Sequence, residues 1–284
     1  MNSSLWKKLL TASCALVLLL PGGNSWAEEA PDSQPWEKFG LQAGYFLTAV
    51  NSTIRLGTGL GVDIDVEDLL DLDSTNSVFR VGALWRFSDN RRHRLDLSWF
   101  SLNRDGTRQV LQDFSFENDN GEIVEVPAGS TVSAFFDLDI YELAYSYSFI
   151  QDDRVDLAAS FGLYVMPIDV GLTVTGLIDA QGSEKFTAPL PVLGLRMDVV
   201  LAPRWFFRSG AQLFYVEYES FTGSLFQANA AVEYTPWNHV GIGLGFDTNS
   251  ISVEAEDEDW PSVDLSGKIE FKYAGLQLYL KYFF

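Results

Sequence analysis

One cysteine, two histidines and no long apolar run beyond the first twenty residues: these scarcities set the first limits on the chain. Cys14 lies inside the N-terminal stretch LLTASCALVLLL, so the rest of the sequence contains no thiol. That excludes a disulfide framework and thiol chemistry beyond it. After this stretch nothing approaches the roughly 18 consecutive apolar residues of a spanning helix. If the chain enters a membrane, it must do so as β-strands. Bases are scarce too: 19 Lys and Arg stand against 39 Asp and Glu, a formal charge of −20. Phosphate recognition needs clustered bases, so a nucleic-acid partner is not expected.

What is present begins with an export signal. Lys7 and Lys8 precede the apolar stretch, a PGG breaker follows, and Ser25 and Ala27 have the small-residue spacing of a cleavage site. The pattern is that of a secretory signal peptide over residues 1–27, in preference to an uncleaved anchor. A lipoprotein is the other rival, but Thr11 stands where lipidation at Cys14 needs a Leu-like residue. Cleavage removes two lysines and no acid, leaving 17 bases against 39 acids and a balance of −22. Residues 28–37 (EEAPDSQPWE) form a short polar lead-in, and residues 38–284 carry one continuous pattern with no second domain.

That pattern is alternation. Phe79, Val81, Ala83, Trp85 and Phe87 share one parity against Arg80, Gly82 and Arg86. Tyr141, Leu143, Tyr145, Tyr147 and Phe149 oppose Glu142 and three small residues, and Leu193 to Leu201 oppose Gly194, Arg196 and Asp198. Val240, Ile242, Leu244 and Phe246 oppose three glycines and Asp247. Period two places each set on one face of a sheet. Many segments reach the length of about 9–11 residues that a tilted strand needs to cross hydrocarbon, against roughly 5–6 for an ordinary strand.

Three features direct the apolar faces toward lipid. The apolar sets contain no charge, and Arg or Lys at the bilayer midplane costs roughly 2–4 kcal/mol. Aromatics gather at strand ends (Trp85, Phe87, Tyr147, Phe149, Trp205, Phe207, Tyr234, Tyr282, Phe284), as interfacial girdles do. Short polar turns (SDNRRH, QDDR, LAPR, TPWNH) alternate with long links near residues 58–75, 105–131, 174–188 and 252–264; ESFTG alone departs from this. The fold class expected is all-β: a transmembrane antiparallel up-and-down barrel of about ten strands, with eight or twelve as alternatives. The strand-like KIEFKYAGLQL switches apolar parity near Ala274–Gly275, which suggests a bulge or turn there.

The last ten residues, GLQLYLKYFF, end on an aromatic at alternating spacing. They resemble the C-terminal signature by which bacterial outer-membrane β-barrel proteins are recognised, with Tyr279, Tyr282 and Phe284 as the matching residues. The resemblance implies residence in a Gram-negative outer membrane and contact with outer-membrane lipid and lipopolysaccharide. It further implies handling by the barrel-assembly machinery and periplasmic chaperones. It carries no catalytic residues and no cofactor.

The enzymes of that superfamily place their catalytic groups at the outer-leaflet end, and most use a histidine. Here His93 and His239 both end short turns, on the expected periplasmic rim. The inward parity includes six cations (Arg80, Arg86, Arg104, Arg196, Arg208, Lys281) and six acids (Asp96, Glu142, Asp156, Asp198, Glu233, Asp247). A strongly ion-selective pore would show an excess of one sign; balance points to cross-strand pairs filling the lumen. The expected polar network is Arg80, Arg86, Asp96, Glu142, Arg196, Asp198, Arg208 and Asp247. Two acidic stretches, around Asp63, Asp65 and Asp68 and around Glu254 to Asp259, fall on long links. They are weak Ca²⁺ or Mg²⁺ candidates and more simply a solvated surface. Val66, Leu69 and Leu70 have the spacing of one amphipathic turn. The expected role is non-enzymatic, either structural or a narrow passive channel for small solutes. The alternatives are an enzyme acting on outer-leaflet lipid or peptide, and a surface-binding barrel using acidic loops.

Overall fold

Residues 35–56, 64–65, 75–111, 113–117, 123–218, 221–255 and 267–284 are described by the computed structural model. They form β1 (Phe39–Leu56), β2 (Ile64–Asp65), β3 (Thr75–Arg86), β4 (His93–Gln109), β5 (Phe114–Glu117) and β6 (Ile123–Val126). There follow β7 (Thr131–Gln151), β8 (Val155–Thr175), β9 (Ala180–Ala202), β10 (Trp205–Tyr218), β11 (Phe221–Trp237), β12 (Val240–Ala255) and β13 (Gly267–Phe283). All but β2, β5 and β6 are antiparallel neighbours round a ring of ten strands, which β13 closes against β1 from Gly40↔Phe283 to Leu56↔Gly267. The backbone of Phe284 continues the seam: its carbonyl accepts from the N–H of Lys38 (3.0 Å) and Phe39 (2.8 Å).

Both described chain ends and the short turns share one end of the ring. Arg91 and Arg204 take φ of 55° and 69°, the left-handed conformation such tight reversals impose. In the β7–β8 turn, Asp152 Oδ1 accepts from the N–H of Arg154 (2.7 Å) and Val155 (2.8 Å). These two bonds hold its carboxyl below the usual carboxylate range.

Side chains sort by parity as the alternation requires. Trp85, Leu195 and Ile242 point outward and are 50%, 60% and 38% exposed, whereas Arg86, Asp156 and Asp198 point inward and are buried. Around the short-turn end the outward aromatics touch: Trp85 with Phe87 (5.7 Å between centroids), Trp205 with Tyr234 (4.7 Å), Tyr282 with Phe284 (6.3 Å). Tyr45 and Phe79 (5.8 Å) belong to the opposite girdle.

Beyond that second girdle the polarity reverses. On β7 the outward series Tyr141 to Phe149 is followed by Asp139 and Asp137, while Val132, Phe136, Leu138 and Ile140 turn inward and are buried. On β13 Glu270 and Lys272 share the outward parity of Leu276 and Leu278, and Phe271 and Tyr273 are buried inside. The parity switch in KIEFKYAGLQL is therefore no bulge. The register of β13 with β1 and β12 runs unbroken through Ala274 and Gly275. What changes there is the surrounding medium: lipid favours apolar side chains outside the wall, and water favours them inside.

The same extension corrects the link lengths. Residues 174–188 are not a long loop; β8 runs to Thr175, β9 starts at Ala180, and they pair up to Val174↔Ala180. The link between β4 and β7 carries the β5–β6 hairpin, whose Val126 is buried in the apolar core.

The ring is a barrel only part of the way. β3 and β4 pair from Arg86↔Arg94 to Arg80↔Phe100 and no further; β9 and β10 pair from Trp205↔Ala202 to Leu213↔Leu193 and no further. Past these limits the wall is two sheets: β4, β7, β8 and β9, and β10, β11, β12, β13, β1 and β3. An apolar core lies between them. Phe136 of one sheet stacks on Phe271 of the other at 5.8 Å, and Phe100 meets Tyr273 edge-on at 5.8 Å.

Tyr279 shows how the closing seam holds register. It pairs with Gly44 of β1 and Gly243 of β12 and is buried inside the wall. A Cβ at Gly243 would lie 2.0 Å from the Tyr279 ring, so the ring covers the glycine.

Two outcomes follow. Leu244→Arg, on the lipid face, should cost about 2–4 kcal/mol in reversible unfolding from lipid vesicles; an effect below half of this would contradict the assigned face. Gly243→Ala should slow or reduce appearance of the heat-modifiable folded band. Adding Tyr279→Ala should restore part of the loss, because the two changes remove one shared contact.

Candidate functional site

The lumen has three layers. Nearest the short turns is an ionic floor. Asp156 and Asp198 sit directly opposite each other on β8 and β9, a like-charge pair that is destabilising unless neutralised. Arginines do this. Arg86 donates to Asp156 Oδ2 (2.8 Å) and Asp198 Oδ2 (3.5 Å), and Arg196 bridges the same two acids, at 3.1 Å to Asp156. Arg94 and Arg208 each reach Asp198 Oδ2 at 3.3 Å. Four guanidinium groups thus converge on one buried carboxylate.

Arg208 extends the layer, with Nε donating to Glu233 Oε2 (3.0 Å) and the guanidinium meeting Glu37 Oε1 (3.1 Å). Lys281 lies between Glu37 and Glu233 (3.3 Å), and the Tyr279 hydroxyl donates to Glu233 (3.2 Å). The floor therefore holds five cations (Arg86, Arg94, Arg196, Arg208, Lys281) against five acids (Glu37, Asp96, Asp156, Asp198, Glu233). Neutrality is what lets so many ionic groups leave water. A buried pair roughly breaks even, whereas one abandoned charge does not.

Trp36 packs below. Its indole N–H donates to the Asp152 carbonyl (2.8 Å), the Arg86 guanidinium lies 5.9 Å over its ring, and its own carbonyl accepts from Arg91.

The middle layer is a hydrated-type chamber of about 180 Å³, lined by Gln42, Ser98, Glu142, Gln212, Asn229 and Gln277 among others. Its polar walls suit water. Arg80 pairs with Asp247 here (2.9 Å) and lies 5.4 Å over the Phe100 ring; Glu142 accepts from Ser98 and Gln212, both at 2.8 Å. Above is the apolar core, including Phe46, Phe136, Tyr164, Met166, Leu225 and Phe271.

All eight residues of the expected polar network face the lumen, but they form two groups. Arg86, Asp96, Arg196, Asp198 and Arg208 belong to the floor, and Arg80, Glu142 and Asp247 to the chamber. Arg104 is also inward and buried, in the upper layer. Arg94 shares the inward parity and was legible on that ground. Trp36 and Glu37 were not: they precede the alternation, and the lead-in reads as merely polar, yet both are buried in the floor. The three C-terminal aromatics do not share one face of the folded wall: Tyr279 is internal, while Tyr282 and Phe284 are 52% and 61% exposed.

His93 and His239 lie at the short-turn rim, bonded to the Tyr145 hydroxyl (2.7 Å) and the Phe283 carbonyl (2.9 Å). Among the described residues no group of three His, Asp or Glu is placed to hold a metal ion. Asp63 and Asp68 and the turn containing Val66, Leu69 and Leu70 lie outside the described residues, as do Glu256 to Asp259. Asp65 is described by its backbone pairing with Thr53.

A closed ring of ten antiparallel strands, apolar outside and ionic within, defines a transmembrane β-barrel of the outer-membrane type. Solved structures of similar fold include the outer-membrane protease OmpT of Escherichia coli, at 10% identity, TM-score 0.54, over 89% of this chain and 100% of that one. Matches at lower TM-score include the toluene transporter TodX of P. putida (9%, 0.31, 89% and 90%) and the attachment invasion locus protein Ail of Yersinia pestis (9%, 0.32, 86% and 99%). At 10% identity the likeness to OmpT is one of fold alone. No family model and no curated protein matches the chain.

Asp198→Asn should cost about 3–5 kcal/mol of unfolding free energy, since it leaves buried guanidinium groups uncompensated. Asp96→Asn, at the more open edge of the layer, should cost under about 1 kcal/mol. Equal effects would show that the convergence on Asp198 carries no special weight.

Proposed function

We infer that this chain is a non-enzymatic integral protein of a Gram-negative outer membrane, exported by a cleaved signal, with a closed lumen and a structural role. The observation that carries the reading is the layered filling. A solute entering from the short-turn end meets the neutral ionic floor, then a chamber of about 180 Å³, then the apolar core between the two sheets. Ten strands suit this, because barrels of about eight are packed inside and open aqueous channels appear near sixteen. Of the two roles in the sequence reading, the filling favours the structural one over the passive channel.

The protease among the structures of like fold raises the enzyme alternative. It finds no support in the histidines, which lie at the short-turn end within the aromatic girdle; His93 is 5.1 Å from the Tyr147 ring and 5.6 Å from Phe87. Planar-bilayer recording tests the reading. The refolded mature protein should give no defined conductance steps above the bare bilayer. Reproducible steps would replace the structural role with that of a channel.

A further inference from the structure

The four residues Pro35–Lys38 stand before the sheet, yet they are tied to it more closely than a lead-in needs. Trp36 is 1% exposed and Glu37 7%. Five segments grip them. The β7–β8 turn accepts the indole N–H through the Asp152 carbonyl at 2.8 Å. The β3–β4 turn reaches the Trp36 carbonyl through Arg91, a residue held at φ 55°. Arg86 covers the ring, and its backbone N–H donates to the Lys38 carbonyl at 2.7 Å. Arg208 and Lys281, from β10 and β13, close on the Glu37 carboxylate.

Charge gives the second argument. Glu37 is the only acid of the floor that the strands do not supply. Without it, Arg208 and Lys281 share Glu233, and the layer holds five cations against four acids. The strands alone thus form a carboxylate receptor with an adjoining aromatic seat, and the chain fills both in cis. Of the side chains that make it, Arg208 and Lys281, together with Arg94, Arg196 and Asp198, line the chamber on its short-turn side.

We propose that Pro35–Lys38 is a latch: docked, Trp36 and Glu37 shut the chamber from the short-turn face; released, they admit water-borne molecules to it while the barrel wall stays intact. The device rests on the closed-lumen reading and says which part of the filling is removable. The ligand class the vacated receptor would take is a carboxylate next to an aromatic ring.

Because Cys14 is the chain's one cysteine and lies in the signal stretch, Asn229→Cys places a single thiol in the mature protein, on the chamber wall. The measurement is its alkylation rate by a charged, water-soluble methanethiosulfonate in the folded, heat-modifiable protein. With the latch intact the thiol should react slowly. Trp36→Ala with Glu37→Ala should accelerate it by about tenfold or more, the shift expected when a rare open state becomes common. Glu37→Gln preserves shape and removes the charge; it should accelerate labelling by a smaller factor and keeps the test alive if the double variant does not fold. Fast labelling with the latch intact would overturn the proposal, as would equal slow rates in all variants. Conductance steps from the unaltered protein would instead overturn the closed-lumen reading, so the two failures can be told apart.

Discussion

Hydrocarbon offers no partner for a backbone N–H or C=O, and each one left unpaired there costs several kcal/mol. The ring closure between β1 and β13 answers this demand, and most of the architecture follows from it. A closed wall has an inside, so alternate side chains along every strand must face one another across the lumen. With ten strands that interior is narrow, and the inward positions hold arginines and acids that must pair or be abandoned. The four-way convergence on Asp198 is thus a consequence of closing the sheet, as are the glycines at 243, where the Tyr279 ring needs the space, and at 44, where the Leu278 carbonyl and the Tyr279 Cα and Cβ approach closely.

Each long strand crosses two solvents and changes its logic between them. In the lower half the wall is apolar outside and ionic inside; in the upper half Asp137, Asp139, Glu270 and Lys272 lie outside, and Phe136, Ile140, Phe271 and Tyr273 lie inside. The upper half is an ordinary water-soluble sandwich, stabilised by burial of apolar area between two sheets. The lower half gains little from that effect, since its outward side chains meet lipid in place of water. It depends on ladder bonds and neutralised charge. One chain therefore uses the hydrophobic effect above the girdle and backbone satisfaction below it.

This division explains what the sequence disclosed and what it hid. Period two, the charge-free parity and the short turns are local signals, and they gave the ring, the strand number near ten and the face of every membrane residue. The reversal on β13 was visible as a change of parity at Ala274–Gly275. In a single medium that change implies a bulge or turn; across two media it marks the boundary between them, with the strand unbroken. The supposed loop at 174–188 failed for the same reason: TVTGLIDAQGSEKFT loses the membrane alternation while continuing as strand in water. Inward charges could be counted by parity, but which acid met which base depends on strand tilt and curvature. Glu37 lies before the alternation begins, and no periodic signal could place it beside Arg208 and Lys281.

The two seams in the wall follow from the same constraint. β3–β4 pairing stops at Arg80↔Phe100 and β9–β10 pairing at Leu213↔Leu193. At that level the outward side chains change from Trp99 and Tyr141, on neighbouring strands, to Ser101 and Asp139. Inside lipid such an edge would leave unpaired backbone groups with no partner. Above the girdle water satisfies them, so the ladder is free to end. On β9 the sequence also prevents it from continuing: Pro189 and Pro191, which precede the last paired residue Leu193, stay in register with Val165 and Leu163 of β8 and have no N–H to offer β10. Proline at an open edge also discourages another chain from adding there. Where the membrane ends, the chain gives up closure, and the freedom to separate two sheets is what allows an apolar core to form between them.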